Sequence, residues 1–167
     1  MRNNIGGRFA MATLDNRVDI DEHGRIYYIL YIKPFADVTM KPVVFRFDTG
    51  ADPCMIDIGM LLNLGYTAEW VLQNGEKYKV NQADKTEIKN CYAVHLPQVT
   101  IGKHSFNNFK IVTSTTERLN QLMGINFIAL CDWDISYKKS YAEFTLIKQI
   151  VGKSPGDFEA FLAKDED

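Results

Sequence analysis

Apolar residues along this chain fall in short runs rich in β-branched and aromatic side chains, cut by Gly, Pro, Asn and Asp, and only rarely follow a helical period. The runs predict strands at Arg8–Leu14, Arg25–Ile32, Pro42–Phe47, Lys77–Asn81, Thr86–Leu96, Val99–Ile101, Asn108–Thr113 and Tyr141–Ile147. The expected protein is therefore mostly β.

Two segments break that rule. Asp57–Leu64 predicts a short helix stopped by Gly65, and Pro155–Lys164 predicts a terminal one, with Ser154 as N-cap, Pro155 at the first position and Asp157 at the third. In the second, Phe158, Phe161 and Leu162 share a face that would pack on the sheet or on a partner. Lys164-Asp165-Glu166-Asp167 is expected to be a frayed, solvated tail.

Length and charge narrow the possibilities. With 167 residues, 46% of them hydrophobic, the chain can build one ordinary core and bury roughly 70% of its unfolded surface. No internal repeat or long linker divides it, so residues 1–167 are expected to form one domain. Nineteen Lys and Arg against twenty-one Asp and Glu leave a net charge of −2 with no run of either sign, which argues against nucleic acid as a partner. The longest apolar stretch, Ile26–Ile32, is far short of the roughly 20 residues that cross a bilayer, and Met1–Leu14 lacks the apolar region of a signal peptide. No membrane partner and a cytoplasmic location are expected. Cys54, Cys91 and Cys131 are odd in number and far apart, as buried reduced thiols would be. With His23, His95 and His104 equally scattered, neither a metal site nor another cofactor is implied.

The stretch that carries chemistry is Val43-Val44-Phe45-Arg46-Phe47-Asp48-Thr49-Gly50-Ala51-Asp52. An apolar strand runs into an acid, a small hydroxyl residue, a glycine and an alanine, so a carboxylate is presented on a turn with little bulk around it. Gly50 lets the backbone turn tightly and another chain approach. Thr49 can hold this turn, or the matching turn of a second subunit. Asp-Thr-Gly is equally an ordinary turn after a strand. Downstream, however, Leu122-Met123-Gly124-Ile125-Asn126-Phe127 sets two apolar residues before a glycine and an aromatic soon after it.

Together the two elements resemble the retropepsin-like aspartic peptidases, whose signature is Asp-Thr-Gly-Ala after an apolar strand (here Asp48-Thr49-Gly50-Ala51) and, later, an apolar-apolar-Gly element (here Leu122-Met123-Gly124). Val99-Thr100-Ile101-Gly102 followed by Asn108-Phe109-Lys110-Ile111 resembles a hairpin of bacterial members. The resemblance spans roughly residues 25–147, leaving extensions at 1–24 and 148–167. It implies a closed β-barrel of the acid protease fold, a single lobe, with a short helix after the active-site strand. It further implies a polypeptide substrate and a pair of aspartates sharing one proton, one acting as base toward water and the other as acid toward the scissile carbonyl. Because the chain contains one Asp-Thr-Gly, the second carboxylate would come from another copy, giving a homodimer with a twofold axis between two Asp48 side chains. Asp132 and Asp134 lack a following Thr-Gly and are expected in a solvated turn. Alanine at 51 has no hydroxyl to offer the carboxylate, which predicts a pH optimum nearer neutrality than that of a serine variant.

The resemblance also implies a hairpin flap over the substrate, for which Lys77–Ile88 is the candidate, with its tip at Gln82-Ala83-Asp84-Lys85-Thr86. Asp48, Thr49 and Gly50 would then be catalytic, and Ala51, Asp52, Ala83, Asp84 and Lys85 would touch substrate. Two departures stand out: no glycine occurs between Gly75 and Gly102, and Ile125 stands where retroviral members often carry an arginine that pairs with the acid after Ala51. Two other readings remain open, a retropepsin-like dimerisation or peptide-binding module without hydrolysis, and a small β-barrel ligand carrier. Phe9, Met11, Phe158, Phe161 and Leu162, in the extensions, would contact either a partner or the chain's own core.

Overall fold

The computed structural model describes residues 17–102 and 104–146. The strand expected at Arg8–Leu14, the terminal helix, the acidic tail and the five apolar residues of the extensions lie outside them.

The described chain runs β1 (Arg17–Asp19), β2 (Tyr27–Ile32), β3 (Lys41–Phe47), α1 (Ile58–Asn63), α2 (Ala68–Asn74), β4 (Glu76–Lys77), β5 (Val80–Asn81), β6 (Glu87–Ile88), β7 (Cys91–Ile101), β8 (His104–Ser114), β9 (Leu122–Met123), α3 (Ile125–Ile128), β10 (Cys131–Ser136) and β11 (Tyr141–Leu146). It is mostly β. Alternation sets the faces: in β2 every second side chain, Tyr28, Leu30 and Ile32, is buried. Antiparallel pairing puts Leu30 opposite Val43 and Tyr28 opposite Phe45, so two inward rows meet on one face.

The largest sheet has the order β4-β7-β2-β3-β9, with β8 on β7. Its longest ladder is the β7–β8 hairpin, turned at Gly102, whose φ of +60 suits glycine. The sequence pattern splits this strand at Pro97, yet β7 runs through it. Leu96 pairs with Phe109 and Gln98 with Asn107, while Pro97, which has no N–H to give, is skipped opposite Asn108 in the left-handed region. β1, β11 and β10 form a second sheet, and β5 with β6 a small third one. Among the described residues the expected closed barrel is not seen as a continuous ladder. Single bridges at Met55, parallel to Val112 and antiparallel to Leu122, join β8 to β9.

Between the two larger sheets lies an aromatic core. Phe127 meets Phe106 edge-on at 5.7 Å and Phe144 at 5.8 Å, and Tyr28 meets Phe144 at 5.6 Å. The Tyr28 hydroxyl donates to the Ala142 carbonyl at 3.0 Å, which ties β2 to β11. Each such ring contributes about 1.5–3 kcal/mol when fully buried. A smaller cluster of Met55, Ile88, Cys91, Ala93 and Val112 packs beneath the β5–β6 hairpin. All three cysteines are free and buried. Burial pushes the Cys54 thiol up to about 12, the direction expected of a buried inert thiol.

α1 confirms the helix expected at Asp57–Leu64. Asp57 caps it, accepting the Gly59 N–H at 3.0 Å, and Gly65 leaves it at φ +89. Five elements were not expected: β1, α2, β9, α3 and β10. α2 is capped by Thr67, which accepts the Trp70 N–H at 3.0 Å, and is followed by Gly75. β10 carries Asp132 and Asp134, which therefore lie on a strand and not in a turn. Both are exposed on its outer face, while Trp133 packs inward against Phe47 and Phe144.

Candidate active site

β3 ends at Phe47, and the turn that follows is set by its neighbour in space. β9 pairs in parallel with β3, Arg46 opposite Leu122 and Phe47 opposite Met123, and the Asp48 N–H donates to the Met123 carbonyl at 3.0 Å. Past β9 the chain crosses the turn itself: the Ile125 N–H donates to the Ala51 carbonyl at 2.8 Å and the Asn126 N–H to the Asp52 carbonyl at 2.9 Å. Asn126 also accepts the Cys54 N–H through its side-chain oxygen at 2.8 Å. Gly124 is where the two segments touch. A Cβ there would sit 2.7 Å from the Ala51 carbonyl oxygen and closer still to the Pro53 carbonyl. Glycine at 124 is thus demanded by backbone proximity.

Within the turn, the Gly50 N–H donates to Asp48 Oδ1 at 2.8 Å, and the Ala51 N–H to the Asp48 carbonyl at 3.3 Å. A Cβ on Gly50 would stand 3.1 Å from the same Oδ1, crowding the carboxylate. The Arg46 guanidinium lies 3.7 Å from Asp48 Oδ2, and both side chains are partly exposed. An exposed pair of this kind is worth about 0–1 kcal/mol. Thr49 and Gly50 are exposed.

A cleft of about 650 Å³ opens at this turn. Of the residues singled out from the sequence, Asp48, Gly50, Ala51, Asp52, Ala83 and Leu122 line it. Thr49 faces a smaller neighbouring cavity of about 330 Å³, beside Asp48 and Arg46. Met123 and Gly124 are buried beneath the turn. Asp84 and Lys85, expected to touch substrate, do not line the cleft. Asp84 is turned into its own loop, where its carboxylate accepts the Thr86 N–H at 2.9 Å, and that bond holds it below the usual carboxylate range. Asp52 is exposed on the cleft with no side-chain partner among the described residues. Ile125 packs against the core in the place where the resemblance would put an arginine.

The hairpin over the cleft is shorter than the pattern predicts. The strand expected over Lys77–Asn81 breaks at Tyr78-Lys79: Lys77 pairs with Tyr92 in the large sheet, whereas Val80 pairs with Ile88 and Asn81 with Glu87 in the hairpin. Its tip closes with Gln82 N–H to Thr86 carbonyl at 2.8 Å and Lys85 N–H to Gln82 carbonyl at 2.9 Å. Lys85 has φ +67, the left-handed position that hairpin loops of this length usually give to glycine. The missing tip glycine is thus replaced by a strained lysine.

Tyr78 and Lys79, within the expected flap, join the cleft lining, whereas sequence reasoning missed the opposite wall, Arg118, Leu119 and Asn120 in the segment between β8 and β9. That segment has neither a period nor a motif to mark it. Among the described residues, no group of three or more His, Cys, Asp or Glu side chains could hold a metal ion, and no helix is long and apolar enough to cross a membrane.

No protein-family model matches the chain, and no curated protein does. Its structure is similar to the crystal structure of a retropepsin-like aspartic protease from Rickettsia conorii, with a TM-score of 0.55 over 77% of this chain and 87% of that one. The sequences are 18% identical over the match, so the likeness concerns the fold.

Proposed function

We propose that this chain is an aspartic endopeptidase that works as a homodimer, with Asp48 of each copy forming one catalytic pair. The observation that carries the reading is the turn itself. An Asp-Thr-Gly at a strand end is held by backbone bonds from the Leu122-Met123-Gly124 element and opens on a cleft beneath a hairpin. The fold it shares with a retropepsin-like protease supports the same reading.

Two carboxylates brought together hold one proton between them, because two like charges in one site repel. The ionised one takes a proton from water, whose oxygen attacks the scissile carbonyl, and the protonated one gives its proton to the carbonyl oxygen. In collapse of the resulting gem-diol, the carboxyl protonated by water gives that proton to the amide nitrogen, the other carboxylate takes one from a gem-diol hydroxyl, and the C–N bond breaks. One chain supplies one Asp-Thr-Gly, so a second copy is needed. The exposed Thr49 and Gly50 offer the surface on which its matching turn would sit. An extended polypeptide would lie in the cleft, with its backbone N–H groups near Asp52 and the hairpin across it.

Asp48→Asn is expected to abolish hydrolysis of a peptide mixture while leaving circular dichroism and sedimentation unchanged. Full activity in that variant would contradict the proposal. A peptide-binding module without hydrolysis is the second reading, favoured by the Arg46 guanidinium that already stands against the carboxylate. A statine-type analogue that binds no tighter than its matched peptide would select it.

A further inference from the structure

Arg118 is exposed and lines two cavities at once, the cleft at Asp48 and an adjoining one of about 720 Å³ against α1. No carboxylate lies within ion-pair distance of it among the described residues. The nearby acid of the second cavity, Asp57, is already committed: Oδ1 accepts the Leu119 N–H at 2.9 Å and Oδ2 the Gly59 N–H at 3.0 Å. The Asp57 N–H in turn donates to the Gln121 side chain at 3.2 Å. These bonds pin the chain on the far side of Arg118 to the start of α1, so the arginine is an unpaired cation on an anchored support. Lys79 adds a second positive charge to the cleft lining. Asp48 and Asp52 are the two acids of the cleft lining.

We propose that Arg118 is a specificity-determining residue that draws a glutamate or aspartate side chain of the substrate into the mouth of the α1 cavity. This inference rests on the peptidase reading for its setting and names a substrate class for it: polypeptide segments with an acid beside the bond that is cut. The guanidinium fork matches a carboxylate in two parallel hydrogen bonds, a geometry that neither a neutral amide nor a lysine ammonium reproduces.

The test uses fluorescein-labelled extended peptides, identical except for Glu, Gln or Lys placed at each position in turn. Binding is followed by anisotropy and cleavage by mass spectrometry, for the full-length parent, Arg118→Gln, Arg118→Lys and Arg118→Glu. At one position the parent is expected to bind Glu over Gln by about fivefold at low salt, the size of one partly exposed charge pair. The preference should vanish in Arg118→Gln, persist in weakened form in Arg118→Lys and turn toward Lys in Arg118→Glu. Equal binding of Glu and Gln peptides by the parent, a preference unmoved in Arg118→Gln, or no binding of any peptide would overturn the assignment. Because binding is read without hydrolysis, a preference without cleavage contradicts the peptidase reading alone, and cleavage without a preference contradicts the Arg118 assignment alone.

Discussion

The floor and the cover of the cleft are built on opposite principles. The Asp48 turn is fixed from several sides: by β9 through the Met123 carbonyl, by the N–H groups of Ile125 and Asn126, and by a glycine at 124 with no room for a methyl group. The hairpin above it consists of two-residue strands, an exposed tip and a lysine forced to φ +67, with Ile88 packed beneath as its anchor. The proposed pairing of two Asp48 carboxylates within a hydrogen-bond length would need the first kind of support. The proposed admission and release of a polypeptide would need the second, because segments that open readily are drawn from the least stable parts of a fold.

The contrast is broken most severely at the floor. Gly124→Ala forces a methyl group onto the Ala51 and Pro53 carbonyls, and a loss of at least about 3 kcal/mol in unfolding free energy is expected from urea titration. A loss below about 1 kcal/mol would mean that the turn is not rigidly held.

At the cover the effect should be smaller and opposite in sign. Lys85→Gly relieves about 1 kcal/mol of left-handed strain, which should slow hydrogen exchange of the Gln82 amide bonded to Thr86. Faster exchange would show that the tip is not strained. Smallest of all is Ala51→Ser. A hydroxyl donor to the carboxylate favours its charged form, so the activity profile should move toward acid by a fraction of a pH unit, and an unmoved profile would count against that role.

How much of this was legible depends on what marks each element. Asp57 and Gly65 announced α1 because a cap and a left-handed stop are chemical signals. The same kind of pair, Thr67 and Gly75, framed α2 unnoticed, since only Val71 among its residues is buried and Leu72 points outward. β10 was obscured by its two acids. Cys-Asp-Trp-Asp-Ile-Ser is a period-two pattern with Asp132 and Asp134 on the outer face, but two acids so close in sequence suggest a turn. Pro97 concealed the continuity of β7 for a related reason, because a missing N–H usually ends a ladder.

At the site, the turn was readable because its chemistry is local: Asp48 to Ala51 are consecutive, and Leu122-Met123-Gly124 has its own composition. The opposite wall was not. Arg118, Leu119 and Asn120 are held at the cleft from far along the chain, by Asp57, some sixty positions earlier, which accepts the Leu119 N–H and donates its own N–H to Gln121. Asp84 looked like a substrate contact from its place at the tip, and a single bond to the Thr86 N–H turns it away.

The central claim, that the site is assembled from one Asp48 of each of two chains, is tested most directly by mixing. Parent and Asp48→Asn chains are unfolded together, refolded in equal amounts at constant total concentration, and assayed on one peptide. If each site needs two intact aspartates from two copies, activity should fall to about one quarter of that of the pure parent, since only parent–parent pairs are competent. A fall to one half, in proportion to the parent chain present, would mean that a single copy carries the whole site and would contradict the account.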